Sequence, residues 1–142
     1  MRGMVTGAHY KSRYSQQVFA LAQESARVIS LGAVWDQALL DQLYAHCTSY
    51  LHGHSVGGTN PSLLRALGAA APVIAWDVVF NHEVTADQSH YVQSPESVTH
   101  MLQGAETDTA NWKLAAERLR EPTLARYNWD SVAAQYLELA QS

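Results

Sequence analysis

The sequence predicts an α/β protein in which a parallel sheet carries helices on both faces. Short apolar runs alternate with segments whose apolar residues recur at helical spacing. The run at residues 72–76 is almost wholly apolar, as expected for a strand that is covered on both faces. Because strand and helix follow each other in regular order, we expect right-handed crossovers and a single Rossmann-like domain.

Five short apolar or β-branched runs are the predicted strands. Gly32 ends the second strand, and the fifth leads directly into Ser94, the expected N-cap of the next helix. The predicted strands cover residues 4–6, 27–31, 48–52, 72–76 and 90–92.

Helix-capping residues and amphipathic stripes predict the helices. Asp36 is the expected N-cap of one helix, and Asn60 followed by Pro61 is that of the next. The last third reads as wholly helical, with Gly104 as the expected end of a helix. Three residues of its apolar stripes are expected to serve core or interdomain packing: Trp112, Trp129 and Tyr136.

Composition limits the classes of function. The net charge of −4 provides no electrostatic footprint for nucleic acid, so no nucleic-acid partner is expected. No apolar run approaches the roughly 20 residues that span a bilayer. The single cysteine, Cys47, fits a reducing compartment, and we expect a cytoplasmic protein, with peripheral attachment to the inner face of the membrane as a further option.

Residues 52–62, between a predicted buried strand and a helix start, carry the chemistry. Gly57 and Gly58 let the backbone approach a ligand closely, and Thr59 and Ser62 add hydroxyl groups. The following helix presents free N–H groups and the positive end of its dipole, which favours a phosphate or diphosphate. An ordinary strand-to-helix turn with capping residues is the alternative interpretation. The spacing matches neither a Walker A loop nor a G-x-G-x-x-G fingerprint.

The segment from His52 to Asp77 resembles the donor-binding core of retaining GT-B glycosyltransferases. It is most similar to bacterial rhamnosyltransferase-like enzymes of surface-polysaccharide assembly. The specific part of the resemblance is the run Gly-Gly-Thr-Asn-Pro-Ser-Leu-Leu at residues 57–64. Weaker similarities extend over nearly the whole chain, including Phe80-Asn81-His82-Glu83-Val84 and residues 127–133.

The resemblance implies a transferase that moves a sugar from a nucleoside-diphosphate sugar to a saccharide acceptor, in a cleft between two Rossmann-like domains. It requires no cofactor or metal, because backbone amides and a helix N-terminus stabilise the leaving diphosphate. The resemblance identifies no catalytic residue. The implied donor-binding residues are His54, Gly57, Gly58, Thr59, Asn60, Ser62, Arg65, Asn81 and Glu83.

The predicted site residues are expected to play different roles. His54 is expected to face the substrate or to order the loop, whereas its neighbour His52 is expected to be structural. Two histidines at this spacing could suit a metal, but no Asp, Glu or Cys lies near them in sequence. Asn81 and Glu83 are expected in a loop that follows the fourth strand and faces the same cleft edge. The resemblance places Glu83 near the donor sugar, and an ordinary helix-start carboxylate is the alternative.

The chain departs from the family pattern in two respects. Arg65 stands where the family has a glutamate that holds the ribose hydroxyls. Residues 1–142 correspond to the C-terminal, nucleotide-sugar-binding domain, and the N-terminal acceptor-binding domain is expected to be absent. Another chain carrying that domain, or self-association, is the expected partner.

Three functions therefore remain open. The first is the donor-binding half of a glycosyltransferase, inactive as an isolated chain. The second is a non-catalytic remnant or interaction module with the same fold and weak or no nucleotide binding. A GT-B protein of the sugar-nucleotide epimerase type is a third, which no residue selects.

Overall fold

The computed structural model describes residues 3–6 and 13–141, and backbone contacts divide the chain into two compact units. Unit 1 is Met1–Leu40 and unit 2 is Asp41–Ser142. The assignment of all 142 residues to one domain stays a prediction.

Unit 1 contains a two-stranded parallel sheet of β1 (Gly3–Thr6) and β2 (Val28–Gly32), with α1 (Arg13–Glu24) between the strands. Helix α2 (Gln37–His46) begins in unit 1 and continues into unit 2. Asp36 Oδ1 accepts a hydrogen bond from the Leu39 N–H over 3.1 Å, which confirms the predicted cap.

Unit 2 contains a three-stranded parallel sheet in the order β3-β4-β5, flanked by helices. Because the strands run in one direction, the segments that follow β3 and β4 leave from the same edge of the sheet. The strands are β3 (Tyr50–His52), β4 (Val73–Trp76) and β5 (His90–Val92), and the helices are α3 (Pro61–Gly68), α4 (Val79–Val84), α5 (Pro95–Thr107), α6 (Thr109–Arg126) and α7 (Trp129–Gln141).

The core of unit 2 lies where α3 and α6 meet the central strand β4. Residues 73–75 of β4 are buried, as the uninterrupted apolar run predicted. Leu63 and Leu67 of α3 and Leu119 of α6 fill the space beside them. The apolar stripes that the sequence predicts for α3 and α6 therefore face this core.

Predicted N-caps begin helices α3 and α5. Asn60 Oδ1 accepts from the Ser62 N–H over 2.9 Å, and Pro61 occupies the first turn of α3. Ser94 begins α5 in a reciprocal capping box with Ser97. The N-caps could be predicted from the sequence because capping depends only on nearby residues.

Three sequence-based expectations need correction. Residues 79–84 form helix α4, whereas Asn81 and Glu83 were expected in a loop. Helix α5 continues past the expected end at Gly104 to Thr107, because Gly104 does not adopt the positive φ with which a glycine ends a helix. Trp129 and Tyr136 are 86% and 71% exposed and do not belong to the core. Their interdomain packing stays a prediction.

Candidate functional site

The loop that joins β3 to α3, residues 53–60, lies at the carboxyl edge of the sheet in unit 2. Residues 53–59 are all exposed. Gly57 has φ of +128°, a backbone conformation that glycine adopts and other residues rarely do. No atom lies within 4 Å of where a Cβ on Gly53, Gly57 or Gly58 would stand. The loop backbone is therefore open to close approach by a ligand.

The backbone N–H groups of residues 53–59 donate no hydrogen bond to any protein group that the structure describes. The parallel ladder ends just before them. In the register of β3 and β4, the next ladder bond would run from the His54 N–H to the Trp76 carbonyl. That carbonyl instead accepts from Asn81 Nδ2 over 2.8 Å. Seven consecutive N–H groups thus have no acceptor among the described residues.

The Asn81 side chain replaces the ladder hydrogen bond that would otherwise join His54 to Trp76. Its side chain is buried, at 1% exposure, and Nδ2 donates both to Trp76 O and to His54 O, the latter over 3.1 Å. Of the predicted donor-binding residues, Asn81 is therefore the one whose side chain is buried and holds the start of the loop.

A chain of hydrogen bonds links the N-cap of α3 to β3. The Ser62 hydroxyl donates to Asn60 Oδ1 over 2.6 Å. Tyr50 Oη lies 3.1 Å from both Ser62 Oγ and His52 Nδ1. Burial raises the pKa of Tyr50 to about 12, so the phenol keeps its proton. The polar groups of Asn60 and Ser62, which were expected to bind the ligand, are thus hydrogen-bonded to each other.

The two histidines of the segment occupy different environments. His52 is fully buried, and burial followed by the neighbouring His54 lowers its pKa to about 4. It is neutral at pH 7. His54 is exposed in the loop, and its ring stacks on that of His52 with centroids 4.6 Å apart. Full burial agrees with the structural role expected for His52, whereas the role expected for His54, facing the substrate or ordering the loop, stays a prediction.

Arg65 and Glu83 each have a charged partner within unit 2. Arg65 Nε donates to Asp41 Oδ1 over 2.7 Å, and this bond lowers the pKa of Asp41. Glu83 Oε1 accepts from Arg126 Nη2 over 3.2 Å, while Nη1 donates to the Glu83 carbonyl. Thr59, with Gly57 and Gly58, remains on the open part of the loop.

Sequence reasoning missed a clamp around His82, next to Asn81 in α4. His82 Nε2 lies 2.7 Å from Asp77 Oδ1, and Nδ1 lies 2.6 Å from Asp87 Oδ1. Asp77, then Asp87, raises the pKa of His82. Its ring also stacks on Tyr91, with centroids 3.7 Å apart. The clamp holds α4 against the end of β4 and thereby positions Asn81.

Within residues 3–6 and 13–141, no three His, Cys, Asp or Glu side chains are grouped closely enough to hold a metal ion. Among the helices described, none has both the length and the apolar character needed to cross a bilayer.

Comparison with known proteins bears on the fold. No protein-family model and no curated protein sequence matches the chain. Among solved structures, it is similar to Anabaena HepE in complex with UDP, with a TM-score of 0.78 and 18% identity over 99% of this chain. It is also similar to the pneumococcal O-GlcNAc transferase GtfA in complex with UDP and GlcNAc, with a TM-score of 0.58 and 16% identity over 96% of this chain.

The chain has the fold of a Rossmann-like GT-B half-domain. This confirms the predicted fold class. The half-domain spans 41% of the length of HepE and 30% of that of GtfA. Its similarity to these structures supports a glycosyltransferase-like fold and leaves the sugar, the acceptor and the stereochemistry as matters for proposal.

Proposed function

We propose that this half-domain is the donor-binding half of a glycosyltransferase and that residues 53–59 hold the diphosphate of a nucleoside-diphosphate sugar. The observation that carries the proposal is the row of seven backbone N–H groups, at the carboxyl edge of the sheet, that have no acceptor in residues 3–6 and 13–141. Open α/β sheets bind their ligands at this edge. The conformation of Gly57 and the open space around Gly58 favour close backbone approach.

The chemistry of the loop suits an anion. Neutral amide donors and the N-terminus of α3 place partial positive charge along one segment. As the bond to the sugar breaks, negative charge grows on the diphosphate, and fixed donors stabilise it without reorganising. Thr59 adds an exposed hydroxyl, and His54 adds a ring at the start of the loop.

The nature of the donor and of the transfer belongs to the same proposal. Both similar structures contain UDP, which makes UDP the first nucleotide to test. The run at residues 57–64 resembles retaining rhamnosyltransferase-like enzymes and supports retaining transfer to a saccharide acceptor. The acceptor-binding half would come from polypeptide other than residues 1–142.

Helix α7 is the proposed contact for that second half or for another copy of this chain. No residue of α7 is buried. Its exposed apolar side chains include Trp129, Tyr136, Leu137 and Leu139. Exposed apolar patches on soluble proteins usually mark interaction sites. Sedimentation velocity across a concentration series would show self-association, and a single monomeric species throughout would contradict it.

A non-catalytic domain of the same fold is the second candidate, and the Arg65–Asp41 ion pair favours it. Arginine has donors and no acceptor, so it cannot accept hydrogen bonds from ribose hydroxyls as the glutamate of the family pattern does. Asp41 already engages Arg65 Nε. The nucleoside part of the ligand would therefore be held weakly, and we expect millimolar affinity.

Calorimetric titration separates the two candidates. UDP, GDP and dTDP are titrated separately into the purified chain, with uridine as the control that lacks phosphates. The proposed donor site predicts binding of at least one diphosphate and none of uridine. Equal heats for uridine and UDP, or no binding of any diphosphate at millimolar concentration, would favour the non-catalytic domain.

A further inference from the structure

Two fully buried side chains beside the loop each have a polar atom without a partner. These atoms are His52 Nε2 and Asn81 Oδ1, the two that stand out among the buried side-chain atoms described. Both residues contact His54: the His52 ring stacks on its ring, and Asn81 Nδ2 donates to its carbonyl. Buried polar atoms in native proteins nearly always have a partner, so each one needs an explanation.

The hydrogen-bond chain through Tyr50 decides what the free atom of His52 can do. The Ser62 hydroxyl hydrogen is directed at Asn60, so the contact between Tyr50 and Ser62 requires Tyr50 to donate. The Tyr50 oxygen then accepts from His52, which places the imidazole hydrogen on Nδ1. In a neutral imidazole of this tautomer, Nε2 carries a lone pair and is an acceptor.

The unpartnered atom of Asn81 is also a hydrogen-bond acceptor. Both carbonyls that contact its amide, Trp76 O and His54 O, are acceptors, so Nδ2 uses its two hydrogens on them. Oδ1 is left as an acceptor. The segment around His54 is therefore bordered by two buried acceptors, whereas the loop after it includes backbone N–H donors that have no acceptor among the described residues.

We propose that His52 Nε2 and Asn81 Oδ1 form an acceptor site for hydroxyl donors, filled by buried water in the free protein or by a hydroxyl of the bound ligand. Lone pairs repel a phosphate oxygen, so this site takes the hydroxyl-bearing part of a ligand while the loop N–H groups take the anionic part. The ligand hydroxyl as occupant rests on the proposed function, whereas the tautomer and the water do not.

Nitrogen NMR of the protein with labelled histidine tests the tautomer without any ligand. We expect His52 to be neutral at pH 7, with its hydrogen on Nδ1 and none on Nε2. Tyr50→Phe removes the oxygen that receives this hydrogen and should shift the tautomer towards Nε2–H. A wild-type spectrum with the hydrogen on Nε2, or with both nitrogens protonated, would overturn the proposal.

A high-resolution crystal structure of the free protein and of its complex with a UDP-hexose tests the occupant. An ordered water within about 3.2 Å of these atoms in both structures identifies water as the source. A sugar or ribose hydroxyl in its place in the complex identifies the ligand. If neither atom has a water or hydroxyl partner in either structure, the acceptor site does not exist.

Two substitutions at one position separate the acceptor from the stack and the Tyr50 bond. His52→Asn keeps a donor near Nδ1 and removes the acceptor at the ε position, whereas His52→Gln keeps an oxygen near Nε2 and loses the δ donor. If a ligand hydroxyl fills the site, His52→Asn lowers the preference for UDP-hexose over UDP about tenfold and His52→Gln retains most of it.

If water is the source, that preference stays unchanged in both variants and the crystal shows the water in the wild type. An unchanged preference together with no water or hydroxyl on either atom overturns the proposal. Failure of the proposed function has a different signature: neither UDP nor UDP-hexose binds, while the tautomer and the water still decide the acceptor site. The melting temperature of each variant shows whether it folds.

Discussion

Arg65 Nε donates to Asp41 Oδ1 over 2.7 Å, an ion pair that joins α3 to α2 within unit 2. Arg65 stands at the position of α3 where the family resemblance predicts a glutamate that binds the nucleotide. The arginine is held by a carboxylate 24 residues earlier in the chain and has a structural partner of its own. The ion pair therefore explains how α3 tolerates arginine, and it predicts weak nucleotide binding.

Arg65→Glu should strengthen UDP binding at least about tenfold, equivalent to roughly 1.4 kcal/mol. The substitution supplies an acceptor for ribose hydroxyls, which arginine lacks. Asp41→Asn is the matched control, because it breaks the ion pair without placing a carboxylate at position 65. We expect calorimetry to show no change in its UDP affinity. Unchanged or weaker binding by the Arg65→Glu variant would mean that Arg65 is not what limits affinity.

Gly57→Ala should lower the free energy of unfolding by about 1–3 kcal/mol, because φ of +128° strains any residue with a Cβ. Gly53→Ala is the control: it meets nothing within 4 Å and has no such φ. Urea denaturation of both variants measures the difference. Equal losses of stability would show that the loop relaxes to a conformation that does not need glycine at position 57.

Asn60→Ala and Asn60→Asp should separate capping from ligand binding. Asn60 Oδ1 accepts from the Ser62 N–H, so alanine should cost about 1 kcal/mol of stability. Aspartate retains the cap and places negative charge next to the proposed diphosphate site. We expect it to unfold like the wild type and to bind UDP more weakly. Wild-type affinity in the Asn60→Asp variant would place the diphosphate elsewhere.

The His82 clamp should make stability depend on pH. Asp77 and Asp87 raise the pKa of His82 above its usual 6.5. The folded state therefore holds the proton more tightly, so the clamp contributes fully below about pH 6.5 and is lost as the pH rises through the folded pKa. Urea unfolding between pH 6 and 9 should show the wild type losing its advantage over His82→Gln.

His52 acts in the opposite sense, which is why the comparison is made against a variant. Its folded pKa is about 4, so its contribution is present above pH 6.5 and is lost as the pH falls towards 4. The His82→Gln variant retains this effect, and the difference between the two proteins isolates the clamp. A difference that stays constant from pH 6 to 9 would contradict the raised pKa of His82.

Local signals in the sequence predicted most of the fold. The five strands are apolar runs, and the caps Asp36, Asn60 and Ser94 act on residues two or three positions away. Helix α4 escaped prediction because it has only six residues and buries a polar one, Asn81. Short helices with a polar buried face have no apolar stripe to reveal them.

Of the candidate site, only the backbone of the loop could be predicted from the sequence. The glycines and the strand-to-helix position identified the loop, because glycine and proline mark special backbone conformations wherever they stand. The side-chain contacts depend on residues far apart in sequence: Arg126 reaches Glu83 across 43 positions. Local periodicity contains no information about such pairs. The clamp of His82 by Asp77 and Asp87 was missed for the same reason.

The proposed function requires that the backbone N–H groups of residues 53–59 bind the diphosphate of a nucleotide. Titration of the isotope-labelled chain with UDP, followed by amide NMR with uridine as control, measures this binding residue by residue. We expect UDP to shift the amide resonances of Gly53 to Thr59 most strongly and uridine to leave them unmoved. Shifts confined to other parts of the chain, or identical shifts with uridine, would contradict it.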